Sequence, residues 1–392
     1  MKIKKIFSPF IKKEGTKSFA ASLASILIGL SAGCIIIIAA TAIDKEISIT
    51  SGLEAIKLIL FGAFSKGRNV SGELVFGFDS ANAGDLLFRA TPLIMTGLSV
   101  TFAFKTGLFN IGAPGQYLIG TAACLITALK LAGQFSSFFV WLLAFIAALI
   151  AGGLWGLIPG IFKAKFRMNE VLSCIMTNWI AANTVTWIFE NSDLRNSVQT
   201  GKIAYILPTS SQGIATAKMG LDLLFPSSEV NGGIFVAVLF AVILYIVLYK
   251  TAYGFENRIC ASNYNAAEYA GINVKRKAVA SMTIAGALSG AGAALYWLSG
   301  NTEFFWSTYQ SLPQEGFKGI PVALLASNNP LGIILSSLFM SALTISGQQL
   351  KTYTLFSETV TDIIIAVIIY LSAFSFVIRK IITSKGRREG KR

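Results

Sequence analysis

Apolar residues in this chain come in long, nearly unbroken runs, without the strict alternation of half-buried strands or the narrow stripe of surface helices. About ten runs are long enough to cross a bilayer, for which roughly 20 residues suffice. They predict spans near 18–43, 86–106, 109–129, 137–162, 169–189, 231–249, 278–299, 317–328, 330–349 and 358–378. Backbone cannot stay unsatisfied in hydrocarbon, so the spans are expected to be helices. They are too long and too continuously apolar for barrel strands. The expected fold is all-α: a polytopic membrane protein with one transmembrane domain over 1–392 and short or broken helices near its centre.

Composition agrees with that pattern. The chain is 54% hydrophobic and 13% charged, about half the charge fraction of a soluble domain. Basic residues set the orientation. With the N-terminus in the cytoplasm and alternating spans, 22 of the 33 basic residues fall inside. They cluster in the tail 1–17, in the loop 250–277 and in the tail 379–392. The positive-inside rule thus predicts a multi-pass bacterial cytoplasmic-membrane protein with both termini cytoplasmic. The net charge of +14 then needs no nucleic acid. Basic span ends also meet anionic lipid headgroups.

Several chemistries are missing. The chain has no histidine, which removes the commonest general base and metal ligand. No P-loop motif is present, so ATP has no such cradle here. No nucleophile–base set is visible. Glu170 and Asp362 sit near span ends and Glu358 begins the last span, whereas ion-coupled carriers usually keep ionisable groups at mid-membrane. Cys34, Cys124, Cys174 and Cys260 lie far apart and read as packing residues, with no cofactor or metal implied. Ser31–Cys34 has a faint look of a cleavage site. The apolar run continues past it through Ile38, which makes it an uncleaved first helix.

Two stretches interrupt the helical pattern. Residues 106–116 hold three glycines and a proline, which disfavour a continuous helix. Asn110 and Gln116 offer amides there, to a pathway or to a tightly packed turn. The second stretch, 316–330, is a short apolar segment closed by Asn328-Asn329-Pro330. Paired interrupted segments in the two halves of a transporter point to its central site. In the fifth span, Asn178, Trp179 and Asn183 can serve a solute or bond neighbouring helices. Gly286 and Gly290 make a G-x-x-x-G face for close helix approach. Gly52–Phe64 is amphipathic enough to lie at the outer interface.

The loop 250–277 contains a candidate short helix over 264–270, capped by Asn263 and ended by Gly271. It reads as a docking element or as a plain interfacial turn.

The segments GLFNIGAPGQ (107–116), GGLWGLIPGIFKAKFRMNEV (152–171), NAAEYAGI (265–272) and GFKGIPVALLASNNPLG (316–332) resemble permease subunits of bacterial ABC importers. The group is that of the nucleoside and simple-sugar permeases related to the ribose permease, of branched-chain-amino-acid type. The resemblance runs from about 86 to 380. It departs at Pro114, often Glu in the group, and at Lys318, often Asp. It implies a second permease subunit, the same or a related chain, cytoplasmic ABC ATPases, and an extracytoplasmic solute-binding protein. The permease would hold no ATP site of its own. The expected substrate pathway comprises Asn110, Gln116, Asn178, Trp179, Asn183 and Phe317. The expected ATPase-coupling element comprises Arg258, Asn263, Ala266, Ala267, Glu268 and Gly271. The outer loops 44–85 and 190–229 would meet the binding protein. A nucleoside or other ribose-bearing solute is the leading expectation, with ribose, galactose or riboflavin as rivals. A stand-alone carrier or channel is the rival of a different class.

Overall fold

The computed structural model describes residues 14–43, 47–194, 203–205, 214–302, 304–306, 311–357 and 359–373. Glu358, the basic tails over 1–13 and 379–392, and part of the loop 190–229 lie outside them. In chain order the elements are α1 (Glu14–Ile43), α2 (Ile49–Phe61), β1 (Ser65–Arg68), β2 (Leu74–Phe76), α3 (Ser80–Phe104), α4 (Ala113–Leu131), α5 (Ser137–Phe166) and α6 (Glu170–Glu190). After them come β3 (Ile203–Tyr205), α7 (Leu221–Leu224), α8 (Gly233–Lys250), α9 (Ala252–Ser262), α10 (Tyr264–Tyr269) and α11 (Val274–Trp297). The chain continues through β4 (Phe304–Trp306), α12 (Gln314–Leu325), α13 (Pro330–Tyr353) and α14 (Thr359–Ala373). The short strands form two antiparallel pairs, β1 with β2 and β3 with β4.

Every predicted span has a helix. Among the described residues, seven helices are long and apolar enough to cross a membrane. The three other predicted spans differ for physical reasons. Helix α4 is buried among other helices along most of its length, so it carries more small and polar residues than a lipid-facing helix. Helix α12 has only 12 residues, about 18 Å at 1.5 Å per residue. Helix α14 has 15 described residues. The loop 250–277 also holds more helix than expected, since α9 precedes α10 and α11 begins at Val274.

The chain divides into two compact units. One contains α1, α2, the β1–β2 hairpin, most of α13, and α14. Small residues let its helices meet: Gly29 and Gly33 of α1 lie against Ile368 and Ile364 of α14. Gly52 of α2 sits on Thr41, and Gly62 sits on Ser346. Helix α2 is capped by Ser48, whose hydroxyl accepts from Ser51 N–H at 3.1 Å. Arg68 in the hairpin pairs with Glu54 at 2.6 Å and donates to the Tyr353 carbonyl at 2.9 Å.

The second unit runs from Leu87 to Ala323 and adds 328–337. Its centre is the seam between α5 and α11. Gly152 and Gly156 of α5 face Gly286, Gly290 and the Met282 carbonyl of α11 so closely that a methyl group at any of these glycines would overlap the other backbone. Gly120 of α4 meets Gly290 from another side. In lipid, helices associate through such close van der Waals packing, because burying apolar area gains little there.

Candidate functional site

The first helix break is a hydrogen-bonded knot. After α3 the chain leaves the helix and restarts at Ala113, with Pro114 in the first turn of α4, where proline costs no bond. Asn110 is fully buried. Its Nδ2 donates to Ser99 Oγ at 3.0 Å and to Gln116 Oε1 at 2.8 Å. Its Oδ1 accepts from Gly112 N–H and Gln116 Nε2, each at 3.1 Å. This bonding out of the helix is why α4 begins at Ala113 and not near 109. Asn178 of α6 completes the knot. Its Oδ1 accepts from Gly115 N–H at 2.9 Å, and its Nδ2 donates to the Ile111 carbonyl at 2.9 Å. The Gly115 N–H is one of the four that a helix start leaves open, so Asn178 caps α4 from a neighbouring helix. Ser289 of α11 donates to the Ala113 carbonyl at 2.7 Å.

The second break is the half-length helix α12. It ends with Ser327 and Asn328 in left-handed backbone, φ 51° and 54°. Asn328 N–H closes onto the Ala323 carbonyl at 2.8 Å, and Asn329 Oδ1 caps α13 by accepting from Leu331 N–H at 3.0 Å. At its other end, the Glu315 carbonyl accepts from Thr96 Oγ1 at 3.0 Å. Gly316 lies directly on Pro114, where any side chain would overlap the proline. The two breaks, about 200 residues apart in the chain, therefore touch at their helix starts. A small apolar cluster of Val100, Ala113 and Ala323 seals the contact.

Of the expected pathway residues, Asn110, Gln116 and Asn178 come together in the knot, at 0%, 1% and 2% exposure. The protein itself satisfies their amides. Trp179 and Asn183 point elsewhere. Trp179 is exposed on α6, and Asn183 is exposed and bonds the Trp179 carbonyl of its own helix. Phe317 is exposed on α12, outside the knot. Sequence reasoning missed Ser99 and Ser289, hydroxyls that look like ordinary helix residues until the fold brings partners.

The loop helix α10 forms with the expected cap. Asn263 Oδ1 accepts from Ala266 N–H at 3.0 Å, and Gly271 at φ 81° ends the turn. Gly271 N–H bonds the Glu268 carbonyl and Ile272 N–H the Ala267 carbonyl, each at 3.0 Å. Ala266 and Glu268 are exposed beside Tyr264 and Tyr269. Ala267 faces inward, fully buried against Cys260 and Val274. Arg258 is half-buried with its guanidinium over Tyr249 at 5.1 Å. Lys277 is held by Glu256 at 2.5 Å. Burial raises the Cys260 thiol pKa above its usual value.

A cleft of about 640 Å³ joins this loop to the first break. Its lining includes Thr106, Leu108, Lys163, Tyr264, Glu268 and Lys275. A side chain at Gly107 would meet the Ala261 backbone, so α9 packs closely on the start of the first break.

A family described as branched-chain amino acid transport system permease components matches residues 82–373. This chain belongs to that permease family. It is a multi-pass membrane component of a transport system and not an enzyme. Among curated relatives, it is 34% identical over 357 residues to the guanosine ABC transporter permease protein NupP of Bacillus subtilis, covering 91% of this permease and 93% of that protein. It is 33% identical to the nucleoside ABC transporter permease protein NupB of Lactococcus lactis, over 75% of this chain and 80% of the relative. The glucose ABC transporter permease protein TsgB13 of Haloferax volcanii is 31% identical, over 73% and 74%.

Proposed function

We propose that this permease is the membrane-spanning subunit of an ATP-driven importer for nucleosides. The observation that carries the reading is the 34% identity to a guanosine permease over nine-tenths of the chain, which includes both helix breaks and the α9–α10 loop. The partners are a second permease subunit, alike or related, two cytoplasmic ABC ATPases and an extracytoplasmic solute-binding protein. The membrane is the bacterial inner membrane. The charge bias supports cytoplasmic termini and an α10 that faces the ATPase side.

In this reading, α10 docks on the ATPase through Tyr264, Ala266, Glu268 and Tyr269. Ala267 anchors it from beneath, and Asn263 and Gly271 define its ends. Arg258 braces the loop against α8. ATP binding moves the loop, and the Gly107–Ala261 contact passes the movement to the first break. The pathway opens and closes where the two helix starts meet, as a switch between two packings. Asn110, Gln116 and Asn178 hold the shape of the break, while Phe317 and Trp179 face outward from α12 and α6, toward the second permease or the pathway. A glucose-type solute is the second reading, favoured by the likeness to TsgB13.

Calorimetry on the cognate solute-binding protein tests the substrate class. Tight binding of a nucleoside, with none of glucose or ribose, is the expected result. Tight binding of a sugar alone overturns the nucleoside assignment and leaves the importer reading standing.

A further inference from the structure

The cleft of about 640 Å³ beside α10 has the size of a small-molecule site, for which roughly 300–1,000 Å³ is usual. Its ionisable and amide lining comprises Lys163 and Arg167 at the end of α5, Asn265 and Glu268 of α10, and Lys275 of α11. Cations therefore outnumber carboxylates. Lys163 is already engaged by Glu170 at 2.7 Å. Among the described residues, the side chains of Arg167, Lys275 and Glu268 have no ion-pair or hydrogen-bond partner. The Arg167 backbone closes α5 in a left-handed turn, φ 55°, with its N–H on the Phe162 carbonyl. Its guanidinium takes no part in that cap. Lys275 stands in the first turn of α11, where the helix's partial positive charge adds to its own. Around Arg167, the side chains of Phe166, Met168 and Leu172 are apolar and exposed. In a membrane protein such side chains meet acyl tails, and a cation among them stands at headgroup level.

We propose that this cleft binds the headgroup of an anionic phospholipid, one that carries a phosphate and free hydroxyls as phosphatidylglycerol does. Basic pockets between membrane helices take such headgroups. Arg167 and Lys275 only donate hydrogen bonds and suit the phosphate oxygens. The Glu268 carboxylate accepts, and the Asn265 amide can accept, so both suit the headgroup hydroxyls. A choline headgroup has a phosphate but no hydrogen-bond donor, and its net charge is zero against a lining with excess cations. Soluble phosphate has the charge but no tail for Phe166 and Leu172 to meet. The lining also includes Thr106 and Gly107 of the first break, so a seated headgroup borders the break and the loop helix together. The site is independent of which solute the permease carries.

Cys260 also lines the cleft and is 7% exposed, so its labelling rate reports occupancy. The delipidated full-length permease in maltoside micelles is treated with N-ethylmaleimide, and modification of Cys260 is followed by peptide mass spectrometry. Dihexanoyl phosphatidylglycerol, dihexanoyl phosphatidylcholine or sodium phosphate is added at matched concentrations. Phosphatidylglycerol should slow the labelling severalfold, and the other two should not. R167Q and K275Q should each raise the phosphatidylglycerol concentration for half-protection about tenfold, the worth of one hydrogen bond to a charged group. K165Q removes an exposed lysine outside the lining and should stay within about twofold of wild type, as a surface charge does. Equal protection by phosphatidylcholine, equal weakening by K165Q, or no protection by phosphatidylglycerol overturns the site. Protection by sodium phosphate as strong as that by phosphatidylglycerol assigns the cleft to a soluble phosphate and overturns the lipid. If one of R167Q and K275Q fails to fold, the other decides by the same criterion. Failure of both overturns the site, because side chains free for a ligand should be dispensable to the fold.

Discussion

Replacing Asn178 by alanine removes two buried hydrogen bonds at once. Among the described residues, the Gly115 N–H and the Ile111 carbonyl lose their one side-chain partner, at 2.9 Å each. Water has little way in, because Asn178 is 2% exposed and Gly115 lies against its backbone. A buried polar group left unpaired costs about 1–3 kcal/mol, while side-chain hydrogen bonds between membrane helices measure about 0.6–2 kcal/mol. Two such groups put the loss for N178A at about 2–4 kcal/mol. Asn183, five residues on, is the internal control. It is exposed and, among the described residues, bonds its own helix alone, so N183A should stay within about 0.5 kcal/mol. Reversible unfolding of the purified permease in mixed micelles reads both, with thiol labelling as the signal. Cys174 is a native reporter, since it is fully buried with its sulfur 3.9 Å from Asn110 Oδ1. Equal midpoints for N178A and N183A would refute the claim that Asn178 caps the broken helix.

Other substitutions separate anchoring from docking. A267E puts a carboxylate into the closed Cys260–Val274 contact and should lower the amount of folded importer severalfold on a detergent-gel assay. Y269A removes a ring that is 93% exposed. It should leave folded protein unchanged while ATP hydrolysis no longer responds to loaded binding protein. In a Y269C variant the new thiol should react with maleimide quickly in the isolated permease and slowly once the ATPase is bound. Cys260 should lag in both, because burial both shields it and keeps its thiol protonated at neutral pH. G152L should abolish assembly of the α5–α11 seam, measured as loss of a monodisperse peak, because the Gly286 backbone fills that space.

Much of this was legible in the chain because membranes simplify the code. Each of the ten predicted apolar runs holds a helix among the described residues, and glycine with proline marked both breaks. The Asn263 cap and the Gly271 stop of α10 were readable because capping is local. What escaped depends on distant partners. Nothing near Asn178 says that it bonds residues more than 60 positions away, and its neighbour Trp179 carries the same local signal yet faces outward. Ala267 looked like part of a docking surface because a six-residue helix has no readable periodicity, and only the fold shows which side is covered. Helix α12 begins three residues before the expected 317. Gln314 and Glu315 fall outside an apolar count, although polar and acidic residues suit a helix start.

The most direct test of the importer account is solute accumulation by defined parts. The permease is reconstituted with its partner permease, ATPase and solute-binding protein, and radiolabelled guanosine is followed with and without ATP. The account predicts concentrative uptake that needs every component and stops when ATP is withheld. Guanosine entry through this chain alone, without ATPase or ATP, would contradict it.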